Sequence, residues 1–125
     1  MYINEKLLEA FKNISCEGQF DKSLKEVGTY YFRKNNYFAR LQVLIKNATI
    51  EDACFKAVSC PTILCSLDVV CKKIKGSLLS EYKNKFSNST IAEQLDLKNA
   101  PTVSLVVAEE IVDGAIQNWM QKNLV

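Results

Sequence analysis

With 125 residues, 48% of them hydrophobic and 24% charged, the chain has the makeup of a single globular domain spanning 1–125, large enough to close a core without disulfide or metal staples. A formal net charge of +2 without any long Lys/Arg run excludes a nucleic-acid footprint, and apolar runs of only a few residues exclude a membrane span. The complete absence of histidine removes the commonest metal ligand and the commonest near-neutral general base, and with them the Cys-His and Ser-His nucleophilic arrangements.

In chain order, Leu7, Leu8 and Phe11 fall at helical spacing and predict a short amphipathic helix over Glu5 to Phe11, with Gly18 as its stop. Val27 to Arg33 carries Tyr30, Tyr31 and Phe32 and reads as a strand, followed by a turn at Lys34-Asn35-Asn36. In Phe38 to Lys46 the apolar Leu41, Val43 and Ile45 alternate with Arg40, Gln42 and Lys46, which is strand periodicity. Ile50 to Val58 alternates likewise, Ala53, Phe55 and Ala57 against Asp52, Cys54 and Lys56, and the short Asn47-Ala48-Thr49 connection suits a hairpin.

Pro61 is placed to open a helix whose stripe is Ile63, Leu67, Val70, Cys71 and Ile74, with Gly76 as terminator. Ser89 or Thr90 is expected to cap a short helix through Leu95, with Glu93 completing a capping box. After Pro101, Leu105, Ala108, Val112, Ala115, Ile116 and Trp119 predict a long final helix. Strands first and helices after imply an α+β domain: a three-stranded antiparallel sheet with helices packed on one face.

The stretch Ile50-Glu51-Asp52-Ala53-Cys54-Phe55-Lys56-Ala57-Val58-Ser59-Cys60 resembles the signature of the IscU-like iron–sulfur scaffolds, also found as the N-terminal domain of NifU. Lys75-Gly76 closes the following helix at the family's spacing, Ile91-Ala92-Glu93-Gln94-Leu95 is similar to another family segment, and Ala108-Glu109-Glu110 resembles the acidic start of its last helix. Glu5-Lys6, Phe20-Asp21 and Val27-Gly28 also stand where such scaffolds have them. The resemblance implies the same fold and a non-enzymatic scaffold that assembles a [2Fe-2S] cluster from iron and from sulfur delivered by a cysteine desulfurase. It implies three cysteines and a nearby Asp or His as the cluster's ligands, soft thiolates suiting iron. This chain departs at two of those places. Lys34-Asn35-Asn36-Tyr37 stands where the family has its first ligand turn, and Val103-Ser104 where it has its third cysteine. Only Cys60 matches a family ligand.

Five cysteines (Cys16, Cys54, Cys60, Cys65 and Cys71) is an odd number that disfavours a disulfide framework, and the N-terminus lacks the apolar run of a secretory signal, so a reduced, cytoplasmic protein is expected. Cys60, on a loop entering a helix, is the sulfur-acceptor or cluster-ligand candidate, weighed against an ordinary loop residue. Cys60 and Cys65 are the candidate pair for a metal ion, iron or zinc, although their spacing is not a recognised zinc pattern. Cys71 belongs to the apolar stripe, and Cys65 projects opposite it. Cys54 is expected on the outer sheet face, where substitution by serine would cost within about half a kcal/mol. Asp52, Glu109 and Glu110 read as solvated charges, and part of the Tyr30, Tyr31, Phe32, Tyr37 and Phe38 group is a candidate docking surface. The expected partner is a cysteine desulfurase or another iron–sulfur assembly factor, with no nucleic acid and no membrane. The alternative is a protein-binding or regulatory module that reuses the scaffold fold without metal chemistry.

Overall fold

The computed structural model describes residues 4–34, 37–58, 61–96 and 103–123. Its elements follow the order α1 (Glu5–Lys12), β1 (Val27–Lys34), β2 (Tyr37–Lys46), β3 (Thr49–Val58), α2 (Pro61–Ile74), a 3-10 turn (Tyr82–Asn84), α3 (Asn88–Gln94) and α4 (Val103–Asn123). The strands form one antiparallel sheet in the order β1-β2-β3. Asn35, Asn36 and Pro101, which figure in the expected turn and the expected start of the last helix, lie outside the described residues. Among the described residues no helix is long and apolar enough to cross a membrane.

Alternation decides what the sheet buries. Ala39, Leu41, Val43 and Ile45 of β2 and Ala53 and Phe55 of β3 are buried on one face, under α2 and α4. The β2–β3 hairpin turns on two residues, Asn47 (φ 54°) and Ala48 (φ 57°), the left-handed pair that matches strand twist. A bulge follows, because Leu44 opposes Asp52 while Ile45 already opposes Ile50. Gly76 ends α2 as expected, with φ 85° and its N–H donated to the Ile50 carbonyl at 2.6 Å.

α4 lies so close to β1 that two positions require glycine. A Cβ on Gly28 would stand 2.2 Å from the Ala115 carbonyl oxygen and 2.9 Å from the Trp119 Cβ. On Gly114 it would stand 2.2 Å from the Tyr30 ring. The C-terminal end of α4 then clamps the chain entering β1, since the Lys122 ammonium donates to the carbonyls of Lys22 (2.7 Å), Leu24 (3.1 Å) and Val27 (2.8 Å).

Several expectations change. The stripe of α1 does not face inward as a whole, for Leu7 is buried while Leu8 and Phe11 are 47% and 43% exposed. The inward face is Leu7, Ala10 and the following Ile14, the narrower three-and-four spacing that a helix lying on a single neighbour needs. α1 ends at Asn13 rather than Gly18, and starts at Asn4, whose side chain accepts from the Leu7 N–H at 2.7 Å. The N-cap of α3 is Ser87, not Ser89 or Thr90. Thr90 is its capping-box partner, the Ser87 N–H donating to Oγ1 of Thr90 at 2.9 Å. The exchange works because a threonine hydroxyl can accept in the place that glutamate usually takes.

The outer sheet face is also less open than its polar sequence implies. Residues 16–20 cross it as a strap: Cys16 and Gly18 exchange backbone hydrogen bonds with Phe55 (2.9 and 3.1 Å) along the β3 edge. Two buried polar side chains anchor this strap. The Gln42 carboxamide accepts from the Phe20 N–H (2.7 Å) and donates to the Phe20 carbonyl (3.1 Å). Asp68 of α2 accepts from the N–H groups of Ser15 (3.0 Å) and Cys16 (2.9 Å), and its second oxygen pairs with Lys72 at 2.7 Å.

Candidate functional site

The resemblance implies ligand places at Lys34–Tyr37, Cys60 and Val103–Ser104. Phe38 of β2 stands opposite both Arg33 of β1 and Val58 of β3, so the end of β1, the start of β2 and the end of β3 stand side by side. α4 runs against β1 in the reverse direction, Lys122 at Val27 and Gly114 at Tyr30. At 1.5 Å per helical residue the ten residues from Gly114 back to Ser104 cover about 15 Å. The four strand residues from Tyr30 to Lys34 cover about 13 Å. The backbone of Ser104 is thereby brought level with the end of β1.

Cys60 itself lies outside the described residues. Its described neighbours are Val58, 66% exposed at the end of β3, and Pro61, half-buried at the first position of α2. Helix N-termini favour thiolate over thiol because their free N–H groups and dipole stabilise the anion.

The other four thiols occupy a different environment. Cys16, Cys54, Cys65 and Cys71 are all buried and form no disulfide with one another. Cys65 faces the interface between α1 and α2, its Sγ 3.7 Å from the Leu7 carbonyl. That side of α2 is buried too, because α2 is covered by α1 as well as by the sheet and α4. Cys54 is a second correction. It lies on the outer face, but the strap covers it to 6% exposure, with Gly18 against its Cβ and the Gln42 carboxamide oxygen 3.9 Å from its sulfur. The small cost expected for Cys54→Ser therefore does not apply.

Burial pushes the Cys71 thiol far above the ordinary range. It raises Cys16, with the Asp68 carboxylate adding to the effect, and it pushes Cys54 up to about 11 even though Arg40 opposes the shift. A thiol held protonated is a poor nucleophile and a poor metal ligand. Among the described residues no group of three or more His, Cys, Asp or Glu side chains could hold a metal ion. The acids follow the solvated expectation: Glu109 and Glu110 are exposed, and Asp52 pairs with Lys75 across 3.0 Å.

The raised Cys54 value carries a pH dependence of known sign. The neutral thiol is the form the fold accepts, so its contribution is complete below the ordinary thiol pKa of roughly 8.5. It is lost as the pH climbs through about 11. Urea midpoints measured across that window are expected to fall less steeply in Cys54→Ala than in the parent. Equal slopes would mean that the strap opens before the thiol titrates.

The profile of the NifU-like N terminal domain matches residues 2–125. The chain belongs to the NifU-like N-terminal domain family. An iron–sulfur cluster assembly scaffold protein IscU from Haemophilus influenzae is 30% identical over 125 residues, 98% of each chain. Another IscU scaffold, from Buchnera aphidicola subsp. Baizongia pistaciae, is 38% identical over 85 residues, 67% of each chain. Among solved structures, the N-terminal part of a NifU-like protein from Brucella abortus superposes with a TM-score of 0.71 at 15% identity, covering 95% of this chain and 94% of that one. The three-stranded antiparallel sheet with its helices is thus the family's fold, as expected from sequence.

The alternation and stripe patterns missed Asp68 and Gln42, which hold the strap next to this end of α2 and β2. Asp68 had one available signal, an acid inside the apolar run Leu67-Asp68-Val69-Val70, since a buried carboxylate without a partner is too costly to be tolerated.

Proposed function

We propose that this NifU-like N-terminal domain acts without catalysing a reaction, as an iron–sulfur assembly protein that accepts sulfur on Cys60 and does not hold a [2Fe-2S] cluster alone. The observation that carries the proposal is the Asp52-Ala53-Cys54-Phe55-Lys56 block on β3 leading to Cys60 at the entry to α2, within a chain matched end to end by relatives named as assembly scaffolds. The partner is a cysteine desulfurase or another assembly factor. In the transfer step the Cys60 thiolate attacks the outer sulfur of the partner's cysteine persulfide. The partner's sulfur–sulfur bond breaks, a Cys60 persulfide forms, and the partner's cysteine leaves as thiolate, with no net electron transfer.

The cluster is cargo here, and the residues present do not fit it. Lys34-Asn35-Asn36-Tyr37 and Val103-Ser104 offer nitrogen and oxygen groups but no thiol, and such groups do not replace soft thiolates on iron. Cys65 is turned to the Leu7 carbonyl in the interior and is not assigned a ligand role beside Cys60.

Three measurements test the proposal. Incubation with a cysteine desulfurase and free cysteine, read by peptide mass spectrometry, is expected to place a persulfide on Cys60 and on none of the buried thiols. Pulse alkylation of the folded protein is expected to label Cys60 first. Anaerobic reconstitution with iron and sulfide is expected to leave no stoichiometric [2Fe-2S] absorption. A cluster that forms in near-stoichiometric yield and is lost in Cys60→Ala would overturn the second half. Absence of any persulfide would favour a binding or regulatory module on the scaffold fold.

A further inference from the structure

β1 is an edge strand, and α4 guards only its first half. Outward-facing backbone groups at that end are taken by α4 side chains: the Val27 carbonyl accepts from Lys122 at 2.8 Å, and the Thr29 N–H donates to Asn118 at 3.0 Å. In an antiparallel ladder, groups that point away from the neighbour recur every second residue. The next outward positions are therefore Tyr31 and Arg33, and among the described residues neither receives a partner there. An edge with free N–H and C=O groups is a template for another strand.

The side chains beside this open edge have a definite chemistry. Tyr31, 52% exposed, stands in register with Arg40 and Lys56, and Arg33 with Phe38 and Val58. The Arg33 guanidinium sits over the Phe38 ring at 5.3 Å, and the Tyr31 and Phe38 rings lie 6.5 Å apart. Arg33, Arg40 and Lys56 form no ion pair among the described residues, whose salt bridges are Lys72–Asp68 and Lys75–Asp52. Behind them, the outer face and the strap enclose a groove of about 640 Å³ lined by Phe20, Lys22, Tyr31 and Arg40 among others. The one carboxylate lining it, Asp21, is turned to the Ser23 N–H and hydroxyl.

We propose that the second half of β1 accepts an extended acidic segment of a partner protein as a fourth strand. Its main chain bonds Tyr31 and Arg33, and its acidic side chains meet Arg33 within the positive field to which Arg40 and Lys56 contribute. Backbone bonding supplies affinity in this mode and alternate side chains supply selectivity. Cationic charge without acidic partners matches an acidic occupant and repels a basic one. A nucleic acid would satisfy the charge but not the edge, because a phosphate chain has no alternating N–H and C=O groups to extend a sheet. Cys60 takes no part in this contact, so the test uses the isolated chain and its outcome is separate from that of sulfur transfer.

The probe is a short synthetic peptide that alternates Asp or Glu with Leu or Val, titrated into isotope-labelled protein. Binding is expected to slow hydrogen exchange at the Tyr31 and Arg33 amides. It is expected to weaken by about tenfold in Arg33→Glu, a charge reversal at the contact, and to be unchanged in Lys12→Glu on α1. The same peptide with every amide N-methylated should not bind. Equal binding of the N-methylated peptide or of its lysine counterpart, preference for a single-stranded oligonucleotide, or no binding at all would overturn the proposal. Concentration-dependent self-association that protects Tyr31 and Arg33 without peptide would also overturn it, by giving the edge to a second copy.

Discussion

Gly28→Ala is expected to be the most damaging single-methyl substitution in this protein, lowering stability by about 3 kcal/mol or more, at the upper end of overpacking costs. The added Cβ meets the Ala115 carbonyl oxygen at 2.2 Å and the Trp119 Cβ at 2.9 Å. Neither is the free end of a flexible side chain, so the helix itself must retreat from the sheet. Retreat would lengthen the Asn118 bond to the Thr29 N–H and loosen the Lys122 clamp on Lys22, Leu24 and Val27. Gly114→Ala is the informative companion, because the three atoms nearest its Cβ all belong to the Tyr30 ring. Trimming Tyr30 to leucine should recover part of the loss at position 114 and none at position 28. Denaturant midpoints of these variants provide the test, and a tolerated Gly28→Ala would mean that α4 lies farther from β1 than described.

The second large effect is expected at Asp68. Asp68→Ala should cost about 2–5 kcal/mol, because it strands the buried Cys16 N–H and the partly buried Ser15 N–H as well as breaking an ion pair. The lost partners are the N–H groups of Ser15 and Cys16 and the ammonium of Lys72. Lys72 is itself about half exposed, so most of the cost should come from the two amides and little from the charge pair. Asp68→Asn, which keeps an oxygen for the amides, should therefore be milder, and Lys72→Ala milder still. Hydrogen exchange adds a local readout. In Asp68→Ala the amides of residues 15–20 should exchange faster, and Cys54 beneath the strap should become open to alkylation. If all three variants lost equal stability, the ion pair would outweigh the amide contacts and the assignment of Asp68 as the strap's anchor would fail.

What could be read from the chain depended on periodicity and punctuation. Alternation in Leu41, Val43 and Ile45 and in Ala53 and Phe55 identified the buried sheet face, and the structure buries those residues. The stripe Ile63, Leu67, Val70, Cys71 and Ile74 and the terminator Gly76 predicted α2 to within its observed ends. Such patterns are local, and each strand or helix states its own inward face. α1 shows where this fails. Leu7, Leu8 and Phe11 have the spacing of a stripe, yet a helix resting on one neighbour buries only the narrow line through Leu7, Ala10 and Ile14.

At the candidate site the sequence was legible in chemistry and silent in geometry. It has a thiol at Cys60 and none at Lys34–Tyr37 or Val103–Ser104, the three places that the resemblance implies for ligands. Those identities follow from residue type alone. The reactivity of the other cysteines did not follow, because it depends on what covers them. Cys54 occupies a polar-face position by alternation, and only the strap over Gly18 removes it from solvent.

The sequence by itself thus determined the family, the strand and helix order and the absence of a thiol at Lys34–Tyr37 and Val103–Ser104, all carried by residue identity and short-range spacing. The tertiary structure alone decided that α4 needs glycine at positions 28 and 114, that Asp68 and Gln42 anchor a strap, and that among the described residues α4 side chains bond the β1 edge at Val27 and Thr29. Each of these is a contact between segments far apart in the chain. No local pattern encodes such contacts, because their energies depend on how closely two separately specified elements approach.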